Sequence, residues 1–236
     1  MDGFGGSQIA GSAVARPPRL PFRDRRAAGR ELAGRLGRWA DEPGLLILGL
    51  PRGGVPVAGE VARLLGAPLD VFVVRKLGVP GHEELALGAI ASGGVRVLNE
   101  EVLDTFGVSA LDLDAITQRA LREVEAREAA YRQDVPALPP AGRAAVLVDD
   151  GLATGASMRA AIAALRMAEP RLVVVAVPVA PAEVCRHLRG EADAVVCAAT
   201  PNPFSAVGLW YEDFTPVLAD EVRDVLRRSR ELGRPR

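Results

Sequence analysis

Short runs of apolar residues alternate along the chain with longer segments in which apolar positions recur at helical spacing. The short runs are apolar almost throughout, as in the strands of a parallel sheet that is covered on both faces. The predicted strands are residues 45–50, 69–74, 145–148, 172–177 and 194–197. The predicted helices are residues 26–41, 55–65, 157–166, 182–189 and 219–232. This alternation predicts an α/β fold with a parallel sheet flanked by helices, in which ligands bind at the carboxyl ends of the strands.

Residues 98–142 interrupt the alternation with two successive predicted helices. The first begins near Asn99, and the second follows Ser109, which forms an approximate capping box with Asp112. An apolar stripe at helical spacing runs along the second helix through Leu113, Ile116, Ala120, Val124 and Tyr131. We interpret this helical insertion as packed on the domain core, and a partner-binding helix or a homodimer interface is the alternative.

Composition limits the classes of protein that remain. The chain has 236 residues, of which 49% are hydrophobic and 25% charged, so residues 19–236 are expected to form a single packed domain. Residues 1–18 are rich in Gly, Ala and Ser, and we expect them to be a disordered tail. The net charge of -1 argues against a nucleic-acid partner. No apolar stretch approaches the ~18 residues of a membrane span, which argues against a membrane partner.

Cysteine usage bears on the compartment. Cys185 and Cys197 are the only two cysteines, and they do not make the dense framework of a small secreted domain. We therefore interpret them as free thiols and expect a cytoplasmic protein.

The segment AAVLVDDGLATGAS, residues 144–157, joins an apolar strand, two acids and a loop of small residues. The strand delivers Asp149 and Asp150 to the carboxyl edge of the sheet. Gly151 and Gly155 allow close backbone approach, and amides at the start of the following helix favour an anion. The segment predicts a phosphate site beside two carboxylates, which suit sugar hydroxyls or a magnesium ion. The alternative is that the acids only cap the turn.

This segment resembles the ribose-phosphate signature of the type I phosphoribosyltransferases. Its sequence is most similar to that of the adenine phosphoribosyltransferases. The resemblance implies that family's fold, 5-phosphoribosyl 1-diphosphate as substrate and Mg²⁺ as cofactor. It implies that Asp149 and Asp150 are catalytic, because they hold the ribose hydroxyls and stabilise the oxocarbenium-like cation, and that they serve as metal ligands. The residues implied to bind the substrate in the following loop are Gly151, Ala153, Thr154, Gly155, Ala156 and Ser157. In the 6-oxopurine branch an Asp occupies the position of Ala153, which counts against hypoxanthine and guanine as acceptors.

Two further segments support the resemblance. LGLPRGGVPVA places Arg52, Gly53 and Gly54 between a strand and a helix, and in the family such a turn binds diphosphate. An ordinary strand–helix turn is the alternative. VVRKLGVPG ends another strand with Arg75 and Lys76, where family members carry basic residues. The resemblance implies that Arg52 and Lys76 are catalytic because they neutralise the departing diphosphate, while Arg75 contributes to substrate binding.

The segment that follows Lys76 is predicted to be a glycine-rich mobile lid over residues 78–94. Glu83 and Glu84 lie in this lid, and they are candidates for a general base. The alternative is that both are solvated loop acids.

The C-terminal segment PNPFSAVGLWYEDF resembles the hood strand of some purine enzymes, which predicts a small hood at about residues 200–216. Phe204, Trp210 and Tyr211 are candidates for stacking on the acceptor base. A satellite core beneath the C-terminal helix is the alternative.

Together these features predict an enzyme that transfers 5-phosphoribose from 5-phosphoribosyl 1-diphosphate to a small nitrogen acceptor, such as a nucleobase, and releases diphosphate. The alternative is a non-catalytic regulatory protein that senses phosphoribosyl diphosphate or a nucleotide. Members of this family are often dimers, so the resemblance leaves both a monomer and a homodimer open.

Overall fold

Five parallel strands form the central sheet of the computed structural model, which describes residues 17–133 and 135–232. These strands are β1 (Leu46–Gly49), β2 (Leu69–Val71), β6 (Ala144–Val148), β7 (Leu172–Val179) and β8 (Ala194–Ala199), in the order β2-β1-β6-β7-β8. A second sheet is antiparallel, with β3 (Val74–Val79), β4 (His82–Ala91) and β5 (Val95–Leu98). The predicted tail at residues 1–18 lies outside the described residues, apart from its last two positions.

Helices cover both faces of the parallel sheet. Their bounds are α1 (Arg25–Arg35), α2 (Gly54–Leu65), α3 (Glu100–Phe106), α4 (Ala110–Arg132), α5 (Ala156–Met167), α6 (Ala182–Leu188) and α7 (Ala219–Leu232). Side chains alternate across each strand, so Ile47 belongs to the hydrophobic cluster that includes residues of α1, α2, α4 and α7, while its neighbour Leu48 belongs to the cluster that includes residues of α5 and α6. The strands are buried on both faces for this reason, and the predicted α/β fold is confirmed.

The helical insertion belongs to the core. Ser109 accepts a hydrogen bond from the amide of Asp112 at the start of α4, as the capping box predicted. Ala120, Val124 and Tyr131 of the predicted stripe are buried in the same cluster as α1 and α2. The stripe therefore packs on the domain core.

The expectation of a loop at residues 78–94 is wrong, because this segment forms most of the antiparallel sheet. Its glycines serve the hairpin and do not break it. Gly81 adopts a φ of 78° beside the turn, and a Cβ atom on Gly88 would lie 2.0 Å from the carbonyl oxygen of Val97 on β5. Gly78 lies where the register between β3 and β4 shifts. The glycines in residues 78–94 are therefore explained by a close approach between strands and by a bulge, and they do not mark a loop.

The prediction of a strand in the hood at residues 200–216 is also wrong. Residues 200–216 contain no strand; they form a 3₁₀ helix at Val207–Trp210, and Tyr211 makes an isolated parallel bridge with Phe22. The aromatic side chains of this segment instead join a third hydrophobic cluster. This cluster includes Phe22 and Tyr211, and Phe204 packs against it.

The cysteines correct a further expectation. Cys185 on α6 and Cys197 on β8 form a disulfide across a separation of 12 residues, so they are not free thiols. The pairing depends on α6 packing back on the next strand, which two isolated cysteines in a sequence do not reveal. Among the described residues, no helix has both the length and the apolar character needed to cross a membrane.

Candidate active site

Neighbouring strands bring two of the predicted motifs together at one edge of the parallel sheet. Strand β6 is buried throughout and ends at Val148, so Asp149 and Asp150, the acidic pair, emerge at its carboxyl end. β1 lies beside β6 in parallel, and its carboxyl end leads into the Arg-Gly turn, residues 52–54. The turn and the acidic pair are distant in sequence and adjacent in space because parallel neighbours end at the same edge.

The Arg-Gly turn lies so close to the acidic pair that a Cβ atom on either of its glycines would collide with it. A Cβ atom on Gly53 would lie 2.1 Å from Oδ2 of Asp150. A Cβ atom on Gly54 would lie 2.6 Å from the carbonyl oxygen of Val148 and 2.8 Å from Cα of Asp149. Gly54 is therefore needed for the backbone to approach the strand end, while a side chain at Gly53 would displace the carboxylate of Asp150.

Arg25 is the cation that the acidic pair contacts. Its Nε donates a hydrogen bond of 2.8 Å to Oδ2 of Asp150, and both side chains are mostly buried. Asp149 accepts a hydrogen bond from the amide of Asp150 at 2.9 Å. One acid is thus ion-paired, while the other is held only by the backbone among the contacts observed.

The electrostatics of the pair follow from this arrangement. Burial raises the pKa of Asp149, and the adjacent charge of Asp150 raises it further. Burial also raises the pKa of Asp150, although its hydrogen bond and ion pair with Arg25 oppose the shift. Two partly buried carboxylates with one cation favour a further positive charge or hydrogen-bond donors from a ligand.

The small-residue loop, residues 151–157, follows the acidic pair and opens α5. Gly155 is the N-cap residue with a φ of 75°, and a Cβ atom there would lie 2.8 Å from Cγ1 of Val184. Oγ1 of Thr154 accepts only a long hydrogen bond of 3.4 Å from the amide of Ala156. Thr154 and Ser157 are exposed, and the first turn of α5 contains no acidic residue. This helix start suits an anion.

The predicted basic residues separate into different positions. Arg52 is exposed in the Arg-Gly turn, and its side chain has no hydrogen-bonding partner among the described residues. On β3 the side chains alternate, so Lys76 shares the face of Val74, which packs with α5. Arg75 lies on the opposite face and pairs with Glu123 of α4 at 3.0 Å. Of the two β3 residues, only Lys76 is on the α5 side.

Glu83 and Glu84 lie on β4, in the hairpin that replaces the predicted loop. Their role as a base remains a prediction, as does the acceptor role of Phe204 and Trp210, whose rings are 6.2 Å apart. Tyr211 has a different position. It is buried, and its hydroxyl donates a short hydrogen bond to the carbonyl oxygen of Asp150. Burial raises its pKa well above the ordinary value, so the phenol stays protonated as a donor.

The donor set at this edge fits Mg²⁺, which takes oxygen ligands and is commonly held by one or two carboxylates together with substrate phosphates. Within residues 17–133 and 135–232 no group of three or more His, Cys, Asp or Glu side chains is placed to hold a metal. The acidic pair would therefore need ligands from a bound substrate to complete such a site. A cavity of about 1010 Å³ between α2 and α7 includes none of these residues.

Comparison with known proteins identifies the family. A family model described as the phosphoribosyl transferase domain matches residues 25–209, which is most of the chain. The chain belongs to the phosphoribosyl transferase family. The predicted membership is thereby confirmed, and the acidic pair, the Arg-Gly turn and the small-residue loop all lie within the matched residues.

Relatives of this phosphoribosyl transferase domain extend the comparison. Proteins named "Putative phosphoribosyl transferase" in two strains of Mycobacterium tuberculosis are 49% identical to the chain over 208 residues. The match covers 88% of this chain and 47% of each relative, so the chain spans about half the length of the curated relatives that it matches. The crystal structure of TT1426 from Thermus thermophilus is 45% identical with a TM-score of 0.80, covering 88% of this chain and 98% of that one.

Sequence reasoning missed Arg25 and the hydrogen bond of Tyr211 in this phosphoribosyl transferase domain. Arg25 stands in the basic run RDRR at the start of α1, and nothing in that run distinguishes it from its neighbours. It lies 125 residues from the acid it contacts. Tyr211 was predicted as an acceptor-stacking residue, whereas its buried ring packs against Phe22 and Phe214.

Proposed function

We propose that the chain transfers 5-phosphoribose from 5-phosphoribosyl 1-diphosphate to a small nitrogen acceptor, with release of diphosphate. The observation that carries this proposal is the close approach of Gly53 and Gly54 to Asp149 and Asp150, beside a helix start that lacks an acidic residue. A diphosphate, a polyhydroxy sugar and a monophosphate are three neighbouring groups of one ligand. The turn, the acidic pair and the small-residue loop offer complementary chemistry to these groups in the same spatial order.

Each group would have a distinct task. The amides at the start of α5, with Thr154 and Ser157, would hold the 5′-phosphate, and this remote binding energy would position the reacting carbon. Asp149 and Asp150 would accept hydrogen bonds from the ribose hydroxyls. Their negative charge would also stabilise the oxocarbenium-like cation that forms as diphosphate departs.

The departing diphosphate gains negative charge, and Arg52 and Lys76 would stabilise it. Mg²⁺ held by the acidic pair would neutralise further phosphate charge when bound. Glu83 and Glu84 remain the candidates for accepting the proton of the nitrogen acceptor, while Phe204 and Trp210 remain candidates for contact with its ring. Ala153 in place of an acid favours an acceptor other than a 6-oxopurine.

The test begins with diphosphate release by the wild-type chain in the presence of phosphoribosyl diphosphate, Mg²⁺ and a panel of nucleobases and other nitrogen acceptors. Losing a donor that faces developing charge typically costs ~3 kcal/mol, so Arg52→Ala should lower turnover about a hundredfold. Binding of ribose 5-phosphate, which lacks the diphosphate, should change little in calorimetry. The matched control is Arg119→Ala, whose side chain is 79% exposed on α4.

Two outcomes would contradict the proposal. No binding of phosphoribosyl diphosphate and no diphosphate release with any acceptor would exclude this ligand altogether. Tight binding without release would favour the regulatory alternative. If Arg52→Ala weakened ribose 5-phosphate instead of lowering turnover, the diphosphate would have to be moved away from the Arg-Gly turn.

A further inference from the structure

Two segments from distant parts of the chain join behind the acidic pair, and we call them the brace: residues 20–25 and residues 210–215. Their backbones are hydrogen-bonded: the amide of Phe22 donates to the carbonyl of Trp210, and the amide of Glu212 donates to the carbonyl of Phe22, both at 2.8 Å. The rings of Phe22 and Tyr211 pack 5.7 Å apart. The brace is therefore a built element with its own backbone bonds and apolar contacts.

The brace contacts Asp150 from both of its segments. Arg25 donates to the Asp150 carboxylate, and Tyr211 donates to the Asp150 carbonyl oxygen. Arg25 is itself held on two further sides. Its Nη1 donates to the carbonyl of Thr215 at 2.8 Å, and its guanidinium lies 3.9 Å from the centre of the Phe214 ring.

This arrangement leaves part of Asp150 available. A carboxylate has two oxygens with about four acceptor positions, and Arg25 occupies one position on Oδ2. The remaining positions can accept hydroxyl donors. Arg25 also offsets one of two adjacent negative charges, which reduces the repulsion that would otherwise separate the acids.

We propose that Arg25 and Tyr211 are positioning residues, which hold Asp150 in the orientation that recognises the hydroxyls of a phosphorylated ribose. This inference rests on the proposed function, because it takes the same ligand at the same edge. Neither residue touches the ligand; both act through Asp150. The competing role is a merely structural one, in which the brace stabilises the fold and leaves recognition of hydroxyls unaffected.

The test separates recognition of hydroxyls from recognition of phosphate. Calorimetry compares ribose 5-phosphate with tetrahydrofurfuryl phosphate, which keeps the ring and the phosphate but lacks the hydroxyls. The variants are Arg25→Met, Arg25→Lys and Tyr211→Phe, each alone and with Asp150→Asn. The control is Arg26→Met, an exposed arginine that follows Arg25 in the first turn of α1. Circular dichroism and thermal unfolding establish that each variant is folded.

Charge-assisted hydrogen bonds are the stronger class, so Arg25→Met should weaken ribose 5-phosphate about ten- to a hundredfold. Tyr211→Phe should weaken it about two- to tenfold, since its hydrogen bond is neutral. Arg25→Lys should recover part of the loss. Binding of tetrahydrofurfuryl phosphate should stay within about twofold of wild type. In the Asp150→Asn background, neither change should weaken ribose 5-phosphate further.

Three results would overturn the inference. The first is wild-type affinity in a folded Arg25→Met variant, and the second is an equal loss for both phosphates. The third is an undiminished effect of Arg25→Met in the Asp150→Asn background. If Arg25→Met does not fold, Tyr211→Phe and Arg25→Lys decide by the same criteria. A wild-type chain that binds both phosphates equally contradicts the proposed function instead, because hydroxyls are then not recognised at all.

Discussion

Replacing Gly54 by alanine tests the close approach of the Arg-Gly turn to the acidic pair. Gly54 is the first residue of α2, where alanine is intrinsically preferred over glycine by about 1 kcal/mol. The added Cβ atom, however, would lie 2.6 Å from the Val148 carbonyl oxygen and 2.8 Å from Cα of Asp149. These are backbone atoms of a buried strand end and cannot rotate away, so α2 or the turn must move.

Forcing an extra methyl group into such a site typically costs about 1–3 kcal/mol. A chain of 236 residues loses roughly 2–4 °C of Tm for each kcal/mol. Gly54→Ala should therefore lower Tm by roughly 2–12 °C in thermal unfolding followed by circular dichroism. Turnover should also fall, because the turn is displaced from the acidic pair.

Gly34→Ala is the matched control for this prediction. Gly34 lies in α1, and a Cβ atom there would have no neighbour within 4 Å. Helix propensity alone then acts, and Tm should rise by a few degrees. A Gly54→Ala protein that is as stable and active as wild type would refute the close approach, and with it the geometric basis of the site.

Three other changes test separate parts of the structure. Burial and the neighbouring charge raise the pKa of Asp149, so its carboxylate disfavours folding increasingly as pH rises above the ordinary aspartate range. Asp149→Asn should reduce this pH dependence, leaving the part due to Asp150, and add about 0.5–2 kcal/mol of stability at neutral pH. It should also abolish turnover, and unfolding and diphosphate assays at several pH values check both effects. Reducing the Cys185–Cys197 disulfide should cost about 3 kcal/mol, and an unchanged Tm with dithiothreitol would speak against the pairing. Lys76→Ala should lower diphosphate release at least about tenfold, while Arg75→Ala should lower it less than about twofold. A larger loss for Arg75→Ala than for Lys76→Ala would mean that the Arg75 face of β3, and not the Lys76 face, is turned toward the substrate.

The parts of the site that were predicted from the sequence are those encoded by contiguous residues. The segment from Asp149 to Ser157 combines strand, acids and loop in one stretch, so its placement at the sheet edge needed no tertiary information. The Arg-Gly turn could be placed for the same reason. Strands that are buried on both faces have an unbroken apolar pattern, which also made the parallel sheet predictable.

The parts that were missed depend on contacts between distant residues. The ion pair of Arg25 with Asp150 spans 125 residues, and the arginine run around it has no periodicity that would select one member. The hairpin at β3 and β4 was misread because glycine at a bulge or a close strand contact has the same sequence signature as glycine in a loop. The disulfide similarly depends on how α6 packs on β8, which neither cysteine encodes locally.

The long reach of Arg25 also has a consequence for folding. Arg25 lies 125 residues before Asp150 and 190 residues before the Thr215 carbonyl that holds it, so these contacts close some of the longest loops in the chain. The parallel strands and the small-residue loop can form from residues that precede 200, but Asp150 receives both of its brace contacts only after residues 210–215 have joined. During synthesis, a nascent chain can therefore acquire the sheet and the Arg25–Asp150 pair before the brace is completed by Tyr211 and Thr215.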